Sequence, residues 1–331
     1  MKKFERYLAL FGLGYILLSR FVSPDWWLDL AASFELQLAA LLVAGAVLAL
    51  LRLRFLMMFC HLLLVLFILY PVLISGRLVE QKALALRNIA LPLHAASQPN
   101  ADSLRIALQN VRRQNSLRVR LLQSLRQTEP DIIGLLEVDE DWMGAIRSTF
   151  PSWKVVAVPR EDNFGLALLS RVPFLDHKIH RTNSEGLPSI EVAISTFDGP
   201  VRVELVHAMP PLGRVAWQLR NQQIEEALLR ARKAEQLSIL LGDFNLTPTS
   251  PSWSKLIAPS TLQRVGAPWG TWPAALSGFG LCLDHVLVSE GIAPTSTLIL
   301  PALGSDHRGQ FVSVKLPSEA LHREPKAQLF K

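Results

Sequence analysis

Cysteine is nearly absent from this chain: its 331 residues contain two, Cys60 and Cys282. Two isolated cysteines exclude a zinc site built from several thiolates and a fold held by a disulfide framework. The sequence also contains no internal repeat and no low-complexity tract, which excludes a repeat architecture.

A strong basic surface is lacking as well, although the formal net charge is +6. Residues 1–90 carry 9 Lys/Arg and 5 Asp/Glu, whereas residues 91–331 carry 25 and 23. Most of the excess positive charge therefore lies next to the N-terminal apolar runs. The later part of the chain lacks the basic footprint that drives nonspecific DNA binding.

Long apolar runs are present, and they lie in the first 75 residues. Residues 55–74 contain no Asp, Glu, Lys or Arg, and this run is long enough to cross a bilayer core of about 30 Å. Residues 38–51 and 7–19 form two shorter runs. We predict three transmembrane helices within residues 1–76, with the lipid bilayer as their partner. A cleaved signal peptide is the alternative for the first run, but no small-residue cleavage site follows it.

Basic residues next to these runs predict an orientation. Lys2, Lys3 and Arg6 precede the first run, and Arg52 and Arg54 separate the second from the third. The rule that basic flanks stay inside places the N-terminus in the cytoplasm of a bacterial-type inner membrane. Three crossings then put the rest of the chain on the outer, periplasmic side, although three basic residues between positions 77 and 87 argue against this.

Strand-like and helix-like segments alternate after the apolar region. Strands such as "LRIALQN", "IIGLLEV" and "VRVELVHA" are interrupted by helical periodicity in "SLRVRLLQSLRQ" and "RVAWQLRNQQIEEALL". We predict a linker over residues 77–103, an α/β domain over 104–317 and a tail over 318–331.

The segment "ILLGDFNLTP" ends a buried strand with two polar residues. Alternation along an extended chain would point Asp243 and Asn245 to the same side. Gly, Asp and Asn are also the usual residues of turns, so a plain turn is the alternative.

Polar side chains stand at the ends of several further strands or in a neighbouring loop, where an apolar strand does not need them. They are Asn110, Glu137, His207, Asp284, Asp306 and His307. Each has an ordinary alternative, such as a turn, an edge-strand charge or a hydrogen-bonded core histidine. Together they predict one rim of carboxylates, amides and imidazoles. Oxygen ligands suit Mg²⁺, or Mn²⁺, and a His–Asp pair supplies a base. A divalent cation and a base are together suited to hydrolysing a phosphate ester.

The order of Asn110, "LLEVD", His207, "GDFN", "LDHVLV" and "SDHR" resembles the endonuclease/exonuclease/phosphatase superfamily, which includes DNase I, repair nucleases, sphingomyelinases and inositol phosphatases. The resemblance covers residues 104–317. It implies a four-layer α/β sandwich of the DNase I-like kind, with two sheets face to face and helices outside. It also implies that Glu137 binds Mg²⁺ with Asn110 close by, and that Asp306 supports the metal site.

The resemblance implies catalytic roles for five further positions. Asp243 would align the attacking water, and Asn245 would hold the phosphate. His307, oriented by Asp284, would be the base or a phosphate contact. His207 would match the second histidine that some members place across the scissile phosphate.

Several positions depart from the family pattern or have open roles. Arg112 stands where many of the nucleases carry an acidic residue, no active-site tyrosine is identifiable, and long basic insertions that would grip duplex DNA are missing. Asn163 and Asn115 are nearby polar residues without an assigned role, and His285 is expected to serve packing.

Two functional hypotheses follow. The first is a membrane-anchored, Mg²⁺-dependent phosphoric ester hydrolase acting on nucleic acid, or on a lipid or small phosphodiester. The loop "GAPWGTWPAALSGFG" offers Trp269, Trp272 and Phe279 to a lipid surface, or it covers the sheet edge as a buried flap. The second hypothesis is a non-catalytic membrane protein that keeps the fold as a binding module.

Overall fold

Two six-stranded sheets form the centre of the molecule in the computed structural model, which describes residues 2–21, 25–74, 103–182, 185–196, 199–266 and 270–317. The strands are β1 (Ser103–Asn110), β2 (Ile132–Leu136), β3 (Lys154–Val158), β4 (Leu166–Ser170), β5 (Phe174–Thr182), β6 (Leu187–Thr196), β7 (Gly199–His207), β8 (Leu237–Asp243), β9 (Leu262–Arg264), β10 (Asp284–Ser289), β11 (Ala293–Ile299) and β12 (Gln310–Lys315). The helices are α1 (Lys2–Phe21), α2 (Trp26–Ala32), α3 (Glu35–Leu51), α4 (Phe55–Ile74), α5 (Arg118–Gln127), α6 (Glu140–Thr149), α7 (Arg214–Lys233) and α8 (Pro251–Leu256).

Each sheet contains one parallel pair at its centre. The strand orders are β11-β12-β1-β2-β4-β3 and β5-β6-β7-β8-β10-β9. The parallel pairs are β1–β2 and β7–β8, and the other neighbours run antiparallel. Helix α5 connects the first pair and α7 the second, as a parallel crossover requires. Because the two strands of a parallel pair end at the same edge of their sheet, the C-terminal ends of β1 and β2 lie side by side, as do those of β7 and β8.

Three apolar clusters separate the layers. The largest lies between the two sheets and includes Ile106 of β1 and Leu241 of β8. The neighbouring residue Ala107 belongs instead to the cluster beneath α5 and α6, and Leu240 to the cluster beneath α7 and α8. This alternation buries both faces of each sheet. The predicted α/β architecture of two mixed sheets with helices outside is confirmed, and we call it the sandwich.

Gly242 allows β7 and β8 to approach closely just before they end. Its φ is 151°, and a Cβ atom built there would lie 1.8 Å from the backbone oxygen of Val206, its pairing neighbour. No L side chain fits this position without moving the backbone. The glycine therefore sets the spacing of the next pair in register, His207 and Asp243.

The N-terminal helices form a separate bundle. Leu42 of α3 and Ile68 of α4 are buried in its apolar cluster, and Glu5 of α1 pairs with Arg52 and Arg54. In the described part of the chain no helix taken alone has the length and apolar composition of a membrane span; α2 and α3, bent by 56°, reach both together. The three predicted transmembrane helices therefore remain a prediction.

Two predicted segments fall outside the described residues. The linker over 77–103 coincides almost entirely with the segment 75–102, and the tail begins at 318. Their assignment also stays a prediction.

Replacing Gly242 by Ala is expected to lower the free energy of unfolding by about 1–3 kcal/mol or more, because alanine adopts this backbone region only under strain. Gly144→Ala is the matched control. Its added Cβ meets nothing within 4 Å at an exposed position of α6, so it should raise stability by about 0.5–1 kcal/mol. Denaturant unfolding of the full chain measures both. Equal stability of Gly242→Ala and wild type would contradict the close approach.

Candidate active site

The ends of the two parallel pairs meet at one rim of the sandwich. Asn110 ends β1 and Glu137 directly follows β2, while His207 ends β7 and Asp243 ends β8. The Nδ2 atom of Asn110 donates to Glu137 Oε1 at 3.0 Å and to Asp243 Oδ2 at 3.4 Å. One amide therefore links the rim of the first sheet to that of the second.

Asp243 is the centre of this rim. Its Oδ2 atom lies 3.8 Å from His207 Nε2 and 3.6 Å from His307 Nε2. Burial raises the pKa of the Asp243 carboxyl, and the nearby Asp284 carboxylate raises it further, against the two histidines. A carboxylate with a raised pKa is a stronger proton acceptor than an exposed aspartate.

Asp284 orients His307. The Nδ1 atom of His307 lies 2.9 Å from Asp284 Oδ2, and its backbone N–H donates to Ser305 Oγ, which in turn donates to the Asn110 carbonyl at 2.7 Å. Burial opposes a charge on His307, but Asp284 and Asp243 outweigh it and raise the pKa of His307 to about 10. At neutral pH the ring is an imidazolium that can donate from Nε2.

Asn245 reaches the rim by a turn. The expected extended alternation is wrong, because β8 ends at Asp243 and Asn245 has a left-handed φ of 47°. The Asn245 N–H donates to Asp243 Oδ1 at 2.9 Å, and its Nδ2 donates to the Ala208 carbonyl at 2.9 Å. The turn alternative is therefore right: the Asn245 backbone lies next to Asp243, and its side-chain amide is tied to the loop after β7.

Glu137 offers a buried carboxylate at this rim. It is 9% exposed, has a φ of 64°, and among the described residues its oxygens accept from Asn110 Nδ2 and from the Arg113 N–H at 3.3 Å. No Lys, Arg or His in the described ranges forms an ion pair with it. A buried carboxylate that lacks a countercharge fits a hard divalent cation.

A second acidic group is less suited to a metal. Ligand atoms of Asp243, Asp284 and His307 lie within 4.8 Å of one another. The His307 ring, however, lies between the two carboxylates, with Nδ1 2.9 Å from Asp284 Oδ2 and Nε2 3.6 Å from Asp243 Oδ2, and both carboxylates raise its pKa and so favour the imidazolium. An imidazolium has no lone pair for a metal.

Asp306 contacts Trp272, a residue that the sequence analysis assigned either to a lipid surface or to a flap over the sheet edge. Its Oδ2 accepts from Trp272 Nε1 at 3.1 Å, and the Trp272 ring lies 6.5 Å from that of His307. A second aromatic residue, Phe164, packs on the other rim histidine, His207, with 5.2 Å between the ring centroids. In the sequence, the occurrence of Trp269 and Trp272 in one loop pointed to Trp272, whereas no sequence feature pointed to Phe164.

Two further positions have structural surroundings. His285 is buried between Phe244 and Trp253, and its Nε2 contacts the Leu246 carbonyl. The packing role expected for it is confirmed. Asn115 donates to the carbonyls of Val111 and Leu303, so it fastens the loop after β1.

Solved structures share the fold at low identity. Danio rerio TDP2 complexed with single strand DNA product is 16% identical with a TM-score of 0.56, covering 64% of this chain and 99% of that one. An endonuclease/exonuclease/phosphatase family protein from Bacteroides thetaiotaomicron is 18% identical with a TM-score of 0.55, covering 70% and 100%. The mannosyl-6-phosphatase of the same organism is 18% identical with a TM-score of 0.52, covering 64% and 99%.

No curated protein matches the chain. The family model described as endonuclease/exonuclease/phosphatase matches residues 107–307, more than half of the chain and nearly the whole sandwich. This chain therefore belongs to the endonuclease/exonuclease/phosphatase family and is a phosphoester hydrolase.

Proposed function

We propose that the chain is a divalent-metal-dependent phosphodiesterase of the nuclease type, held at a membrane by its N-terminal helices. The observation that carries the catalytic part is Asp243 Oδ2, which lies between His207 Nε2 and His307 Nε2 and is linked through Asn110 to Glu137. A buried base, a buried imidazolium and a carboxylate that can hold a divalent cation at one rim are groups that support hydrolysis of a phosphodiester.

Mg²⁺, or Mn²⁺, is the proposed cofactor. Glu137 would hold it with Asn110 alongside and Asp306 in support, and the ion would neutralise the phosphoryl oxygens. In the structure Asn110 Oδ1 accepts from the Arg112 N–H at 3.1 Å, which leaves one lone pair of that oxygen for a ligand.

The side chains of the rim divide the remaining work. Asp243 accepts the proton of the attacking water, since its raised pKa favours protonation. His307, held by Asp284, donates a hydrogen bond from Nε2 to a phosphoryl or leaving oxygen. Asn245 and His207 contact the phosphate from the second sheet and hold it in line with the water.

Nucleic acid is the proposed substrate class. TDP2, which shares the fold, was solved with a single strand DNA product. A lipid or small phosphodiester is the second candidate. Phe279 and Leu276 are 77% and 53% exposed, and their 3₁₀ turn, Ala274–Phe279, begins with a hydrogen bond from Ala274 N to the Asp306 carbonyl.

Membrane anchoring is supported by the surface of the N-terminal bundle. Large apolar side chains are exposed along α1, α3 and α4, among them Phe11, Val47 and Phe59. Glu5 brings the chain start beside Arg52 and Arg54, at the end of α3 opposite the one where the sandwich is contacted. This arrangement supports a sandwich on the outer side, away from the basic end.

Catalysis is tested with the full chain, single-stranded DNA, plasmid and a phospholipid mixture, each with Mg²⁺, Mn²⁺ or EDTA. His307→Gln and Asp243→Asn are expected to lower kcat by about 10²–10⁴-fold, the usual contribution of a positioned proton donor or acceptor. His177→Gln and Asp141→Asn, at exposed positions, are matched controls that should retain activity. Undiminished turnover in either rim variant would refute the assignment.

Metal binding is tested at Glu137. Glu137→Gln should raise the half-saturating Mg²⁺ concentration by about 10–100-fold or more, and it should abolish the rise in Tm that Mg²⁺ gives the wild type. Glu140→Gln, which removes an exposed carboxylate three residues away, is the control. If Mg²⁺ stabilises Glu137→Gln as strongly as the wild type, the ion binds elsewhere.

Orientation is tested with a reporter enzyme that is active only outside the cytoplasm. Fused after Lys331 it should be active, and fused after Arg54 it should be inactive. The full chain should also resist extraction from membranes by high salt and yield to detergent. Activity from the Arg54 fusion alone would place the sandwich inside, and release by salt would contradict the anchor.

A further inference from the structure

Helix α2 inserts a carboxylate into the sandwich, although it lies far outside the family-matched residues 107–307. Asp29 is 1% exposed. Its Oδ2 accepts from Arg220 and from Trp217 Nε1 at 3.0 Å, and its Oδ1 accepts from the Ser250 hydroxyl and from the Ser252 N–H at 2.9 Å. Four donors from α7 and the start of α8 thus converge on one side chain of the N-terminal region.

Arg220 connects Asp29 to the active site. The guanidinium is 2% exposed, and its second terminal nitrogen donates to the Asn245 carbonyl at 3.0 Å. Asn245 holds a left-handed φ of 47° and contacts Asp243 through its backbone N–H. The chain of contacts from Asp29 to Asp243 therefore passes through one cation and one residue in the left-handed conformation, which Asn adopts readily.

Arg220 depends on Asp29 for its countercharge. Burial lowers the pKa of the guanidinium, and Asp29 counteracts this effect. Within the described ranges Asp29 is the acidic residue paired with Arg220. Without Asp29 the guanidinium would keep two neutral acceptors, Asn221 Oδ1 and the Asn245 carbonyl, but its buried charge would be uncompensated and would be drawn toward water.

Neighbouring contacts hold α2 along the segment that follows "GDFN". Thr249 Oγ1 donates to the Ala32 carbonyl at 2.7 Å, and Thr247 Oγ1 to Ser33 Oγ at 3.3 Å. At the rim of this contact Asp25 pairs with Arg214, whose side chain is 62% exposed. The contact thus has a buried ionic centre and an exposed ionic edge.

We propose that Asp29 is a positioning residue for the hydrolase: it holds Arg220 against the Asn245 carbonyl, and so fixes the Asn245 backbone next to Asp243 and with it the direction of the Asn245 side-chain amide. Helix α2 then helps to position an active-site residue, in addition to belonging to the region that anchors the chain at a membrane. This inference rests on the proposed role of Asn245 in phosphate binding.

The test compares Asp29→Asn with Asp25→Asn in the full chain. Asp29→Asn should lower kcat by about tenfold or more, the effect that loss of a supporting partner has at such sites, and should change KM much less. Asp25→Asn keeps the side-chain cap of α2 and removes the exposed ion pair, so it should match the wild type.

A double-mutant cycle separates positioning from stability. If Asp29 acts through Asn245, then Asp29→Asn lowers kcat no further in an Asn245→Ala background. Equal losses in both backgrounds would indicate a general structural effect and overturn the proposal, as would a wild-type kcat in Asp29→Asn alone. If Asp29→Asn does not fold, Asp29→Glu, which keeps the charge and shifts it by one methylene, takes its place with the same expected pattern.

A spectroscopic readout is independent of activity. The side-chain NH₂ resonances of Asn245 in the ¹⁵N-labelled full chain, assigned through Asn245→Ala, should move in Asp29→Asn and stay in place in Asp25→Asn. An inactive wild type would refute the proposed function, and these resonances would still decide the inference. Unmoved resonances in Asp29→Asn would overturn it.

Discussion

The antiparallel pairing of β8 with β10 places Asp243 directly opposite Asp284, and both carboxylates are buried. Two buried negative charges in neighbouring positions are unfavourable unless a cation lies near them. His307 is that cation, because its ring contacts Asp284 through Nδ1 and faces Asp243 through Nε2. The side chains around His307 therefore have to keep its protonated ring in position between the two carboxylates.

The two sheets contribute different groups to the surroundings of His307. The second sheet supplies Asp243, Asp284 and His207, whereas the first supplies the loop before β12 that carries His307. Ser305 ties that loop to the Asn110 carbonyl, and the Asn110 amide returns to Asp243. The candidate active site thus lies where the two sheets meet, and hydrogen bonds that join the sheets set the distances around Asp243.

Sequence reasoning placed most of the strands and identified the strand-end residues, because period-two burial and polar strand ends are local signals. It failed where tertiary contacts decide. The left-handed turn at Asn245 depends on its bonds to Asp243 and Ala208, and Trp272 gains its position from Asp306 across the chain. The docking of Asp29 joins residues about 190 positions apart, and no local pattern marks a buried aspartate on a seven-residue helix.

The two buried charge systems differ in how completely their polar atoms are used. At the α2 contact, both Asp29 oxygens accept two hydrogen bonds each. At the rim, Asp284 Oδ1 and His207 Nδ1 are buried and have no hydrogen-bond partner among the described residues. A satisfied network resists change, whereas unmet bonding capacity is stable only where something else completes it. The docked helix therefore behaves as rigid support, whereas the rim keeps hydrogen-bonding capacity on Asp284 and His207 that the described residues leave unused.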